Sequence, residues 1–149
     1  MALETITICR SIADLVVDGV TIKNIDEIPA DCTRLIPVLY PEPLNFVSDF
    51  TMERDSFGGG STAKMRVEYT LTYTFCLAPI ASGRTGLEYY SELVDKVAEI
   101  LDAFLAIDVL EGVEDIIPLT PIEFGPVFDP SGNIFIGCKF PLRVMEFVN

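Results

Sequence analysis

The sequence predicts an α+β fold: an antiparallel or mixed β-sheet with a long projecting hairpin, packed against two α-helices. Three patterns carry that expectation. Met65, Val67, Tyr69, Leu71, Tyr73, Phe75 and Leu77 alternate strictly with Arg66, Glu68, Thr70, Thr72, Thr74 and Cys76, the period of a strand with one apolar face. Leu87, Tyr90, Leu93, Val94, Val97, Ile100, Leu101, Phe104 and Leu105 recur at helical spacing, with Glu88, Glu92, Asp95, Lys96 and Glu99 on the other side. Asp129-Pro130-Ser131-Gly132-Asn133 stands between two apolar stretches and predicts a hairpin turn, Pro130 presetting one dihedral and Gly132 supplying a positive one.

The remaining elements follow in chain order. Leu3, Ile6, Ile8, Ile12, Leu15 and Val16 recur mostly at helical spacing, so 3–17 reads as a first amphipathic helix stopped by Gly19. The β-branched Thr5 to Ile8 leave a strand in its first turns as the alternative. Asn24 to Asp31 read as a surface connection. Leu35 to Tyr40 read as a short strand, where Pro37 removes a ladder donor and implies an edge or a bulge, and Pro41 and Pro43 end it. The strand from Met65 would extend about 40 Å at ~3.3 Å per residue, so it either crosses the domain or projects beyond it. Ala78 to Gly83 form a turn. Thr85 is a candidate N-cap with Glu88 three residues on, and Glu92 with Lys96 an i,i+4 ion pair. An acidic connector spans Asp108 to Asp115, and Ile116 to Phe128 and Ile134 to Val148 flank the last turn.

A chain of 149 residues is the size of one domain, here 1–149, and is long enough to bury a proper core. Half its residues are hydrophobic and its mean hydropathy is +0.40, so some apolar surface is expected to be reserved for neighbouring subunits. The formal net charge of −13 opposes a grip on nucleic-acid backbone, which needs clustered Lys and Arg. It suits solubility first, and also a surface past which DNA slides. No apolar run reaches the length of a membrane span, and Glu4 stands where a secretory signal would be basic. Cys9, Cys32, Cys76 and Cys138 lack the close pairing of zinc or redox motifs and read as reduced core thiols.

The chain contains no histidine, which removes Ser-His-Asp and Cys-His catalysis, histidine metal sites and imidazole proton shuttling together. Asp102, Asp108, Glu111, Glu114 and Asp115 are the densest acids, but apolar residues between them break the ligand order of a calcium loop. Gly58-Gly59-Gly60-Ser61-Thr62-Ala63-Lys64 has the ingredients of a phosphate loop, yet lacks Gly-Lys-Ser/Thr in succession and leads into a strand rather than a helix. It reads as a hairpin tip. Asp55, Ser56, Phe57, Gly58, Gly59, Gly60, Ser61 and Thr62 are therefore the candidate subunit interface, with Phe57 either a contact residue or folded back on its own domain. Tyr69 and Tyr73 read as core residues beneath the long helix, not as a base-stacking platform. A non-enzymatic role without a cofactor or metal is expected.

The order of elements resembles the tail terminator, or tail-completion, proteins of long-tailed bacteriophages. The resemblance rests on the alternating strand Val67 to Leu77, the helix Tyr89 to Leu101, and the closing strand Gly132 to Val148 with Gly137. It covers most of the chain as a succession of patterns, and related head-tail connector and tail-tube folds look much alike. The resemblance implies a structural virion protein, assembled in the host cytoplasm as a hexameric ring. That ring caps the tail tube, joins it to the head connector and passes DNA through its lumen as cargo. A connector or tube subunit, or a small non-viral adaptor, is the alternative; a metal-dependent enzyme using the Asp102 to Asp115 acids stands last.

Overall fold

A computed structural model of the chain describes residues 4–43, 50–54, 65–80, 89–107 and 113–148. Their architecture is α+β, a mixed sheet with two helices. Helix α1 spans Thr5–Ala13, followed by strand β1, Thr21–Ile22, and a single 3-10 turn at Ile25–Glu27. Strands β2 (Val38–Pro41), β3 (Phe50–Arg54) and β4 (Met65–Pro79) come next. Helix α2 spans Tyr90–Leu105. Strands β5 (Val113–Pro118), β6 (Phe124–Phe128) and β7 (Ile134–Val148) close the chain.

Two strands of 15 residues, β4 and β7, form the spine of the sheet. They pair antiparallel from Met65 opposite Val148 to Pro79 opposite Phe135, with one irregularity between Cys76 and Ala78. On its other edge β4 pairs with β3 and then β2, while β7 pairs with β6 and then β5. Strand β1 adds a parallel pairing to β2 and makes the sheet mixed.

Alternation decides which side chains go inward. The odd residues Val67 to Phe75 of β4 and the even residues Cys138 to Glu146 of β7 share one buried face. Helix α1 buries Ile8, Cys9 and Ile12 in the core on this face, and α2 buries Leu93, Val97, Ile100 and Phe104. The Phe104 ring stands edge-on to Phe140 at 5.5 Å and tilted against Tyr73 at 5.9 Å, the spacing of favourable aromatic pairs. On the opposite face a smaller cluster of Cys32, Val38, Tyr40, Cys76, Val127 and Phe135 is covered by Ile28, Leu35 and Ile36.

Several expectations change. The long strand crosses the domain and pairs with β7 along its whole length, so the β3–β4 pair is present but a projecting hairpin is not among the described residues. Helix α1 ends at Ala13, before Gly19, and leaves Ile6 and Val16 exposed; Gly19 serves the following turn with φ of +73°. Strand β2 is interior rather than an edge, because Pro37 lies just before it and offers its carbonyl to Thr21 N–H at 3.0 Å. Ala78 and Pro79 continue β4 instead of turning. Helix α2 begins at Tyr90 with Tyr89 at its N-cap, and Thr85, Leu87 and Glu88 lie outside the described residues. Lys96 reaches the Asp18 carbonyl at 2.6 Å and Glu99 at 3.3 Å rather than pairing with Glu92. The expected acidic connector gives way at Val113 to β5, which the long edge of β7 recruits into the ladder.

Candidate assembly surfaces

The segment Asp55 to Thr62, expected at an interface, lies outside the described residues. Two other surfaces have the composition of contacts.

The first is on α2. At about 100° per residue, Leu93, Val97, Ile100 and Phe104 share an arc roughly 60° wide, and all four are buried. Tyr90, Val94, Leu101 and Leu105 occupy the adjoining arc of about 60°, yet Tyr90 is 47% exposed, Val94 49% and Leu105 71%. The apolar face is about twice as wide as the strip the sheet covers. Its far border is acidic: Glu92, Asp95, Glu99 and Asp102 are exposed. Beyond Tyr90 the stripe runs into an apolar groove of about 230 Å³ lined by Ile80, Leu93, Phe124, Pro126 and Ile136, with the Tyr90 and Phe124 rings edge-on at 6.5 Å.

The second surface is the outer face of the β4–β7 ladder. Arg66, Glu68, Thr70 and Thr72 alternate with the core residues of β4, and Lys139, Pro141, Arg143, Met145 and Phe147 with those of β7. All keep part or most of their surface in solvent. Lys139 pairs with Glu42 at 2.8 Å, the same carboxylate that accepts from Thr74 Oγ1 at 2.8 Å. Arg143 Nε stands 3.8 Å from Glu68. This face gathers three of the chain's ten basic residues.

Two buried acids organise the scaffold between these surfaces. Glu146, in the core, accepts the Glu4 backbone N–H at 2.7 Å and the Tyr69 hydroxyl at 2.5 Å, while Thr5 Oγ1 donates to the Tyr69 oxygen at 2.8 Å. The carboxylate thereby satisfies an orphan donor at the α1 N-terminus, the end that favours negative charge. Burial, followed by the bond to Glu146, pushes the Tyr69 phenol well above its usual range, so it stays a neutral donor. Asp129 accepts Ser131 N–H at 3.0 Å and Asn133 N–H at 2.8 Å on Oδ1, and Cys32 N–H at 3.0 Å and Asn133 Nδ2 at 2.8 Å on Oδ2. Burial opposes its ionisation, but hydrogen bonds from Cys32, Asn133 and Ser131 prevail and hold its pKa below the ordinary aspartate value. Asp129 thus joins the predicted turn, with Gly132 at φ of +87°, to the loop that covers the smaller core.

The four cysteines are free and buried, and burial raises each thiol above its normal range. Tyr69 and Tyr73 are core residues, as expected. Among the described residues no group of three or more metal-ligating side chains gathers, and no helix is long and apolar enough to cross a membrane. Of the acidic connector, Asp108 and Glu111 lie outside the described residues. The sequence reading missed Glu146 and the exposure of Tyr90, Val94 and Leu105. For Glu146 a signal existed, since it continues the inward alternation of Leu142 and Val144. Comparison of the chain with protein-family models and with curated proteins finds no match.

Proposed function

We propose that the chain is a structural, non-enzymatic subunit of a ring, of the kind that terminates the tail tube of a long-tailed bacteriophage and joins it to the head connector. The observation that carries the ring is the α2 stripe: Tyr90, Val94 and Leu105 are exposed along one side of the helix, with Leu101 among them only partly buried against the core. Apolar surface arranged as a continuous strip is a contact surface, whereas scattered exposed residues are ordinary. The phage assignment rests on the order and periodicity of the elements. The net charge of −13 agrees with a channel that passes DNA as cargo without holding it.

The groove beside Tyr90 favours a second reading, an adaptor that takes an apolar side chain of a partner into that groove. Mass separates the two. Light scattering across concentration, with negative-stain imaging, is expected to give closed rings, with six subunits as the family's number. A species that remains monomeric at every concentration and binds a partner one to one would instead establish the adaptor.

A further inference from the structure

We propose that Cys32 and Cys76 are a redox pair, able to form a reversible disulfide that locks the loop over the smaller core onto β4. The two residues lie far apart in sequence and meet on the face of the sheet opposite the helices. Cys76 continues the row of Thr70, Thr72 and Thr74 on that face of β4 and stands in register with Val38 of β2. Cys32 lies in the loop that follows the 3-10 turn. Both are fully buried in one cluster, and the Cys76 thiol donates a hydrogen bond to the Cys32 sulfur. Hydrogen-bonded thiols have only a short approach left to the S–S bond length of about 2.05 Å. Cys9 and Cys138 belong instead to the larger core across the sheet, where Cys9 meets the Tyr73 hydroxyl.

The fold also holds Cys32 by its backbone. Its N–H donates to Asp129 Oδ2 at 3.0 Å, while Ser131 Oγ donates to the Ala30 carbonyl at 2.5 Å and Asn133 Nδ2 to Asp31 at 3.3 Å. The turn between β6 and β7 thereby fixes the segment that carries the thiol, and a fixed neighbour reacts at a far higher effective concentration than a thiol in solution. Packing alone would ask here for small apolar groups, not for two sulfurs in contact. The oxidant the pair requires is a small-molecule disulfide. One protein thiolate attacks a sulfur of that molecule, displaces one small thiolate and leaves a mixed disulfide. The second protein thiol, having lost its proton, attacks the protein-side sulfur and expels the other small thiolate. Two protein thiols thus lose two protons and two electrons, and the small disulfide is reduced to two thiols. Burial raises both protein thiols above their ordinary range, so exchange waits on opening of the loop and is slow in the closed protein.

The test removes access as a variable. The reduced full chain is unfolded in denaturant, refolded in a buffer of oxidised and reduced glutathione, and alkylated before digestion. Each cysteine falls in a different tryptic peptide, Cys32 in 24–34 and Cys76 in 67–84. The expected product joins those two peptides, leaves two of the four thiols titratable and melts at least ~5 °C above the reduced form. Excess dithiol should reverse all three changes. Cys32→Ala refolded in the same buffer should keep its remaining thiols free, which separates pairing by the fold from indiscriminate oxidation. Four free thiols in the wild type, glutathione retained on the protein, or a cross-link between any other two cysteines overturns the pair. An oxidised form that melts no higher than the reduced one overturns the lock.

Discussion

The Tyr69 hydroxyl meets the Glu146 carboxylate at 2.5 Å, diagonally across the β4–β7 ladder and inside the core. With the Glu4 N–H on the other carboxylate oxygen, this pair ties the start of α1 to the two central strands. A buried acid costs more to strand than a solvated one, because removing its donor leaves a desolvated oxygen unpaired.

Replacing Tyr69 with Phe deletes that donor and also the acceptor of Thr5 Oγ1. The expected loss is about 1.5–3 kcal/mol in urea unfolding at neutral pH. Combined with Glu146→Gln, the two effects should be non-additive by at least ~0.5 kcal/mol. Additive losses in that double-mutant cycle would mean the two groups do not share their stabilisation.

A second expectation contrasts two glycines that face each other in register, Gly125 of β6 and Gly137 of β7. A Cβ on Gly137 would stand 1.8 Å from the Phe75 carbonyl oxygen and 2.9 Å from its carbon, whereas one on Gly125 meets nothing within 4 Å. Backbone in the central ladder cannot step aside as a flexible side chain can. Gly137→Ala should cost more than ~3 kcal/mol or abolish folding, and Gly125→Ala should stay within about 1 kcal/mol of wild type. Equal melting temperatures for the two variants would refute the close approach.

How far the sequence revealed this architecture depends on the range of the forces involved. Strand β4 was legible because each inward residue from Met65 to Leu77 is apolar, and the turn at Asp129 because Pro130, Gly132 and Asn133 have local conformational preferences. The partner of β4 was not. That β7 runs beside it from Phe135 to Val148 depends on pairing across about half the chain, which no local pattern encodes. Two-residue β1 exists only because β2 offers it a parallel edge. On α2, periodicity marked the whole apolar face but could not say that the sheet covers Leu93, Val97, Ile100 and Phe104 and stops short of Val94. The expected interface of Asp55 to Thr62 was a composition argument, and the α2 stripe emerged only from tertiary packing.

Asp129 should make stability depend on acid pH. Its folded pKa lies below the ordinary value, so its contribution is present above the unfolded aspartate pKa, about 3.9, and is lost as pH falls through the lower folded value. Asp129→Asn substitutes a weaker acceptor and should cost about 1.5–3 kcal/mol at pH 7. The gap between variant and wild type should then narrow in denaturant titrations below about pH 4. A gap that is constant from pH 7 down to pH 2 would exclude a charged Asp129 as the clasp between turn and loop.

The cysteines should report on opening of the core. Burial, reinforced at Cys76 by neighbouring Cys32, pushes the Cys76 thiol up to about 12, and burial alone does the same for Cys138. Thiolate is the reactive form, so at pH 8 both access and ionisation oppose labelling. A chromogenic disulfide reagent should modify all four thiols rapidly in denaturant and none promptly in the native protein. Prompt native modification of any one would show that its part of the core is open to solvent.

Neighbouring valines on α2 separate what the fold needs from what the surface offers. Val97 is buried in the core, and Val94, one turn earlier, is half exposed. A carboxylate at position 97 would be desolvated without a partner, so Val97→Asp should cost more than ~3 kcal/mol or prevent folding. Val94→Asp should change monomer stability by no more than about 0.5 kcal/mol, measured at concentrations too low for assembly. At higher concentration the same substitution should oppose association, because it removes apolar area and extends the acidic border formed by Asp95 and Asp102. A variant equally stable and equally associating would remove Val94 from any contact; one that unfolds the monomer would place it in the core after all.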